Sequence, residues 1–230
     1  MKLPISEIFY SIQGEGCLAG VPSVFVRVAG CHLRCTWCDT PYALKISQGA
    51  SMDIDDIMKR VLQFQCTHVV ITGGEPMMHK GIVDLCDALK NESCHITIET
   101  SGTLLLPVTA SLMSISPKLS HSTPTEGPLI KYASQHEKLR INIDVINTLI
   151  DHYDYQLKFV IEKENDLSEI HDLLEQLKNY SGDKVTLMPQ GLDQSELAIT
   201  APLVADLCKL TGFRFSSRLH VNLWGNTKGT

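Results

Sequence analysis

CHLRCTWCDT, residues 31–40, places Cys31, Cys35 and Cys38 at the spacing C-x3-C-x2-C. Three thiolates this close can ligate three irons of a cubane and leave the fourth iron open to an outside ligand. Structural zinc sites take four protein ligands and often come as paired C-x2-C halves. A ferredoxin supplies four cysteines per cluster. The count in this loop stops at three, so the missing ligand is the informative part. Taken alone, the loop leaves open a zinc or redox cysteine cluster, or three unrelated buried thiols.

Immediately upstream, VFVRV (24–28) is β-branched and apolar except for Arg27, and predicts a strand that runs straight into the cysteine loop. An arginine in such a run is paired internally or aimed at something anionic, because an unpaired buried charge is expensive. A carboxylate-bearing ligand would satisfy its planar fork of donors. Further upstream, ISEIFYSI (5–12) reads as extended and leads into Gln13-Gly14-Glu15-Gly16. That tetrapeptide is a turn where backbone can approach a ligand closely, and by itself it reads as no more than a turn. Downstream, HVVIT (68–72) predicts a buried strand followed by Gly73-Gly74-Glu75-Pro76, where two glycines bare the backbone just past a strand end.

The rest of the chain alternates. Helical periodicity covers 53–65, with Ser51 or Asp53 as cap, and then 80–89. Strands are expected at 95–99, ending at Thr100-Ser101-Gly102, and at 112–116, ending at Pro117-Lys118. Residues 119–133 read as loop, and 136–151 reads more as helix than strand. A strand at 156–161, a helix at 166–177, a strand at 185–188 before Pro189-Gln190-Gly191, a helix at 195–210 and a last short strand at 219–223 complete the series. Strands alternating with helices about six times predict an α/β fold whose parallel sheet is covered by helices. The glycine and polar motifs follow strands, so they gather at the sheet's C-terminal edge. Periodicity does not separate a partial (β/α)6 barrel from a flat doubly wound sheet. With no repeat, low-complexity tract or linker, residues 1–230 read as a single domain.

Composition bounds the function. Apolar content of 43% and charged content of 20% are ordinary for a globular chain. A formal net charge of -6 with no basic stripe argues against a nucleic-acid partner. No stretch reaches the roughly 18 apolar residues of a membrane span, and MKLPISEIFY lacks the apolar run of a signal peptide, so the expected location is the cytoplasm. There the 8 cysteines do not form a disulfide framework. Cys66, Cys86, Cys94 and Cys208 read as small buried hydrophobes, and Cys17 as a packing residue that could approach the first motif.

The cysteine loop, with Trp37 before its third cysteine, resembles the cluster loop of the radical S-adenosylmethionine (SAM) superfamily. The stretches SIQGEG, Arg27, CTWCDT with Thr40, VVITGGEP, ETSGT and SPK, and more loosely LMPQG and the WGN tail, resemble the 7-carboxy-7-deazaguanine synthases within it. The resemblance implies a partial (β/α)6 TIM-like barrel of the radical SAM type. It implies a carbon–nitrogen lyase that converts 6-carboxy-5,6,7,8-tetrahydropterin to 7-carboxy-7-deazaguanine with loss of ammonia, in queuosine and 7-deazapurine biosynthesis. It implies a [4Fe-4S] cluster on Cys31, Cys35 and Cys38, SAM on its open iron, and Mg2+ on Thr40. By the same resemblance Ile12, Gln13, Gly14, Glu15, Arg27 and Thr72 contact the pterin. Trp37, Cys38, Asp39, Gly74, Glu75, Ser101, Ser116, Pro117, Lys118 and Gln190 contact SAM. No residue is assigned as an acid or base, since the radical carries the chemistry. An electron donor such as flavodoxin and a homodimer are expected partners.

The family often closes its substrate site with its own C-terminus, which makes Thr230 a substrate-binding candidate in a chain ending NLWGNTKGT. Residues 45–49, where a helix is often expected, read as loop. His32, His68, His79, His95, His121 and His171 lie in no motif, and the acidic run Asp53, Asp55 and Asp56 reads as a helix N-terminus. Two other classes compete: an activase that installs a glycyl radical on a partner protein, and an electron-carrying module with a structural cluster. The activase has no use for Gln13, Glu15, Arg27 and Thr40 together. The carrier has none for a SAM site.

Overall fold

The computed structural model describes Met1–Thr230. Its first strand, β1 (Lys2–Ile12), turns back antiparallel through β2 (Pro22–Val28), and β3 (Ala50–Asp53) pairs antiparallel with the other edge of β1. From β2 every neighbour is parallel: β4 (His68–Gly73), β5 (His95–Thr100), β6 (Leu112–Ile115), β7 (Tyr155–Ile161), β8 (Val185–Pro189) and the short β9 (Arg214–Phe215). The result is one 9-stranded sheet in the order β3-β1-β2-β4-β5-β6-β7-β8-β9. The helices are α1 (Ile54–Leu62), α2 (Gly81–Asn91), α3 (Ala133–Leu139), α4 (Ile143–His152), α5 (Asp166–Leu174), α6 (Gln194–Thr211) and α7 (Leu219–Trp224).

Side chains alternate along each strand, and here the two faces differ in chemistry. Val24, Val26 and Val28 of β2, Leu157, Phe159 and Ile161 of β7, and Val185 and Leu187 of β8 belong to one aliphatic core. That same core takes Ile57 of α1, Leu85 of α2, Ile146 of α4, Ile170 of α5 and Val204 of α6. The helices therefore cover one face of the sheet. The intervening residues Phe25, Arg27, Thr72, Glu99, Lys158 and Met188 line a cavity on the other face. A doubly wound sheet has helices on both faces. An open sheet with helices outside and a polar lining inside is a partial barrel, with β2 and β4–β8 as its six (β/α)-type strands.

The alternation of the central elements is as the periodicity predicts, and the differences have local causes. Residues 219–223 form α7 and not a strand. The edge of β8 is already taken by β9, Leu219 N donates to Gly14 O at 2.9 Å, and Val221 is the helix's one buried residue. The stretch 136–151 is two helices, broken where Asn142 accepts a capping bond from Val145 N at 3.3 Å. β3 was not anticipated, and residues 46–48 form a single 3-10 turn. Asp53 is the N-cap of α1 but makes no capping bond, its carboxylate lying 3.7 Å from Lys2. The helix α5 stops at Leu174, short of Leu177. Cys86 and Cys94 are buried, Cys66 and Cys208 half-buried, and Cys17 exposed.

Candidate active site

A cavity of about 230 Å³ opens at the C-terminal ends of the parallel strands. The Gln13–Gly16 turn, expected at that edge, enters it from the other end, because β1 runs antiparallel and sets Ile12 opposite Pro22 at the start of β2. The cysteine loop forms one wall. It leaves β2 through Gly30, whose φ of +109 suits a glycine. Cys31 N donates to Leu44 O at 3.1 Å, Thr36 N to Ser122 O at 2.8 Å, and the Arg34 guanidinium to the carbonyls of Cys31 and Leu33, both at 2.6 Å. Arg34 N also donates to His136 Nδ1 at 3.0 Å. Cys31, Cys35 and Cys38 all face the cavity. Burial pushes the Cys31 thiol up to about 11 and the Cys35 thiol up to about 12, and raises Cys38 as well. The loop thus offers three soft donors that only a bound metal would hold as thiolates. No three His, Cys, Asp or Glu side chains close around a single ion. Three thiols facing one cavity, without a fourth, fit a cluster that takes one thiolate at each of three irons.

The glycine turn after β4 forms the adjoining wall. Gly73 has φ +127, and a Cβ on Gly74 would lie 2.1 Å from Gly30 O, so this turn and the cysteine loop pack backbone to backbone. Glu75, 1% exposed, accepts from Thr100 Oγ1 at 2.7 Å, Met77 N at 3.2 Å, Ser101 N at 2.8 Å and Ser101 Oγ at 2.5 Å. Its carboxylate thereby fixes the β5 turn against the β4 turn. On the next strand end, Lys118 Nζ donates to Ser116 O at 2.6 Å and Ser116 Oγ at 2.9 Å. Trp37 Nε1 donates to His121 Nδ1 at 2.9 Å, and the two rings stack.

Polar groups crowd the opposite end. Gln13 Nε2 donates to Glu99 Oε1 at 3.2 Å, its Oε1 accepts from Glu15 N at 3.1 Å, and Thr72 Oγ1 donates to Glu99 Oε2 at 2.7 Å. Glu15 is held by Lys158 through Oε2 and by Arg218 at 3.0 Å through Oε1. Burial would raise the Glu15 carboxyl, but Lys158, Arg218 and His220 hold it well below the ordinary carboxylate range. Asp39 is likewise lowered against its burial, chiefly by Arg218. Thr40 Oγ1 donates to Asp39 Oδ1 at 2.8 Å, which leaves the hydroxyl oxygen's lone pairs for a hard cation. The Arg27 Nε pairs with Glu7 at 2.6 Å, and Tyr42 donates to the same carboxylate at 2.9 Å. The internal-pair reading of Arg27 therefore holds: Glu7 fixes one side of the guanidinium, and the side chain also lines the cavity. Asn226, Thr227, Gly229 and Thr230 line the mouth.

Of the candidate residues, Ile12, Gln13, Gly14, Glu15, Arg27, Cys31, Cys35, Trp37, Cys38, Asp39, Thr40, Thr72, Gly74, Glu75, Ser101, Ser116, Lys118 and Thr230 all line this one cavity. Pro117 and Gln190 do not. Glu99, Lys158, Arg218 and His220 line it as well and were not anticipated. Lys158 had a legible signal, since a lone cation in QLKFVI breaks an apolar strand just as Arg27 does in VFVRV. His220 fills the space over Gly14, where a Cβ would lie 1.9 Å from its Nδ1.

Residues 25–199 match the model of the Radical SAM superfamily. A 7-carboxy-7-deazaguanine synthase of Halobacterium salinarum is 43% identical over 99% of this chain and 93% of its own length. The one of Rhodopirellula baltica is 40% identical over 100% of this chain and 89% of its own. Among solved structures, QueE from Escherichia coli superposes with a TM-score of 0.74 at 25% identity, covering 96% of this chain and 95% of that one.

Proposed function

The chain belongs to the radical SAM superfamily and, within it, to the 7-carboxy-7-deazaguanine synthases, and from that membership we propose how the residues around its cavity divide the work. The activity is the conversion of 6-carboxy-5,6,7,8-tetrahydropterin to 7-carboxy-7-deazaguanine with loss of ammonia, a lyase reaction on the route to queuosine. Cys31, Cys35 and Cys38 hold the [4Fe-4S] cluster. When bound there, the cluster and SAM would supply the radical chemistry that the conversion needs.

The remaining work is binding and orientation. Gly74, Ser101, Ser116 and Lys118, with Trp37, Cys38 and Asp39, take SAM. Glu75 contributes chiefly by rigidity, since its carboxylate already accepts bonds from Thr100, Ser101 and Met77. Pro117 and Gln190, outside the cavity lining, act at most through their neighbours. Thr40 offers Mg2+ one oxygen, which suits an ion that keeps few protein ligands. Ile12, Gln13, Gly14, Glu15 and Thr72 read the pterin ring. A carboxylate held ionised beside an amide can accept from the ring's amino and N–H groups while the amide meets its carbonyl. Arg27 takes the substrate carboxylate with the nitrogens that Glu7 leaves free, and Thr230 sits at the mouth.

The observation that carries this reading is the gathering of three thiols, the glycine turn and the Gln13–Glu15–Arg27–Thr72 set around one cavity. An electron donor such as flavodoxin, a homodimer and a cytoplasmic location belong to the same proposal. No helix is long and apolar enough to cross a membrane. One continuous sheet supports taking residues 1–230 as one radical SAM domain. The test is anaerobic turnover of cluster-reconstituted protein with SAM, Mg2+, a reductant and 6-carboxytetrahydropterin, read by mass spectrometry. The expected result is 7-carboxy-7-deazaguanine that is absent without SAM. If 5'-deoxyadenosine forms without that product, the pterin assignments fall and the glycyl-radical activase returns.

A further inference from the structure

Arg218 stands at the N-terminus of α7, 7% exposed at its side chain, and uses all three guanidinium nitrogens. Nε donates to Glu15 Oε1 at 3.0 Å, NH1 to Gly191 O at 2.7 Å, and NH2 to Asp39 Oδ2. These acceptors lie on three separate segments: the first turn after β1, the loop after β8, and the end of the cysteine loop. Asp39 has no other cation within ion-pair distance, while Glu15 keeps Lys158. Between its bonds to Thr40 and Arg218, both oxygens of Asp39 are engaged.

The segment that carries Arg218 has little apolar burial to hold it. Val221 is the one buried residue of α7, while Leu223 and Trp224 are 50% and 42% exposed. Polar pins do the docking: Arg218, the bond from Leu219 N to Gly14 O at 2.9 Å, and one from Gln194 Nε2 to Asn222 O. From this segment His220, Asn226, Thr227, Gly229 and Thr230 reach the cavity. Apolar burial would have held α7 whatever the state of the site. Ion pairing through one fork makes its docking depend on Glu15 and Asp39 being in place, and theirs on it.

We propose that Arg218 is a positioning residue, a latch by which the C-terminal segment fixes Glu15 at the pterin end and Asp39 beside the Mg2+ residue Thr40. The inference rests on the substrate roles given above to Glu15 and Thr40. Arg218 touches neither substrate nor cofactor in this scheme. It holds Glu15 in the rotamer that faces the ring and keeps Asp39 from swinging toward the cation. Lysine in its place keeps the charge and loses the fork, so it can serve one carboxylate and not two.

The test compares wild type, Arg218→Met and Arg218→Lys as full-length, cluster-reconstituted proteins. Iron content should be close to equal, because Arg218 bonds none of the three cysteines. The KM for 6-carboxytetrahydropterin should rise at least about tenfold in Arg218→Met with a smaller fall in kcat, and Arg218→Lys should fall between. Hydrogen exchange, measured without substrate, should speed up across residues 13–16 and 219–230 in Arg218→Met. If Arg218→Met does not fold, Arg218→Lys decides by the same two readouts. Unchanged KM together with unchanged exchange overturns the latch. A wild type that makes no 7-carboxy-7-deazaguanine overturns the substrate roles instead, and the exchange comparison still judges the latch.

Discussion

Arg27 joins an internal ion pair to the substrate role proposed for it. The Glu7 carboxylate takes its Nε at 2.6 Å and so sets the plane of the fork that faces the cavity. Replacing Arg27 by alanine should leave cluster content unchanged, because none of the three cysteines bonds to it. A charge-assisted pair lost at the transition state costs about 1.5–3 kcal/mol, so kcat/KM should fall roughly 10- to 150-fold. Normal turnover by Arg27→Ala would sink the carboxylate assignment. The sequence made this residue visible because a cation in an apolar strand asks for a partner. Lys158 sends the same signal, but its partner Glu15 is 143 residues away, and no local pattern joins them. His136 makes a second point about burial. Its Nδ1 accepts from Arg34 N, so Nε2 carries the proton and donates to Ser122 Oγ, which in turn donates to Leu119 O. Protonating Nδ1 would break that chain, and burial pushes the imidazole down to about 4. Near its ordinary 6.5 the unfolded chain takes up the proton first. The contribution of His136 is therefore complete above about pH 6.5 and is lost progressively as pH falls toward 4. Denaturant midpoints between pH 7 and 4.5 should drop less steeply in His136→Gln than in wild type.

At the scale of elements, the turns after strands carry the site, and their glycines were legible while their contacts were not. Two adjacent glycines past a strand end predict an exposed backbone. That Gly74 lies against Gly30, 44 positions earlier, appears only once β2 and β4 pair in parallel with Val28 opposite Gly73. A Cβ on Gly74 would meet Gly30 O at 2.1 Å; the Cβ is fixed by its own backbone, and the atom it meets is backbone too. The collision cannot be relieved by a rotamer, so the cysteine loop itself has to move. Gly74→Ala should therefore lower iron and sulfide incorporation on reconstitution several-fold, with the circular dichroism of the fold retained. Full cluster content in that variant would show that the loop tolerates the shift. The misread element is instructive for the opposite reason. LHVNL alternates like a strand, yet whether a segment joins a sheet depends on a free edge, and β9 already occupies the edge of β8. The pins that hold α7, from Arg218 and Leu219, reach residues 39 and 14. A periodicity argument has no access to such distant partners.

The whole molecule separates stability from chemistry by facing them in opposite directions across one sheet. Apolar alternation along the strands was legible and identified the outer core. The polar concave face was legible only in part: Arg27 and Thr72 were candidates, while Lys158 and Glu99 look like ordinary interruptions of a strand until they are seen to converge. Adjacent residues of β7 allow a direct test. Phe159 is 0% exposed in the aliphatic core beneath the helices, and Lys158 points into the cavity. Phe159→Ala leaves a void and should cost about 3–5 kcal/mol of unfolding free energy. The surviving folded fraction should bind the pterin with a KM close to that of wild type. Lys158→Met nearly preserves volume and leaves Glu15 still paired with Arg218, so its loss of stability should be the smaller of the two. Its KM should nonetheless rise at least about tenfold, because Glu15 loses the nearer of its two cations. Unfolding curves and substrate kinetics on the two variants give four numbers that must fall in this crossed pattern. If Phe159→Ala raised KM as much as Lys158→Met, the two faces would be mechanically coupled, and a partial barrel with a rigid wall between core and site would be the wrong description.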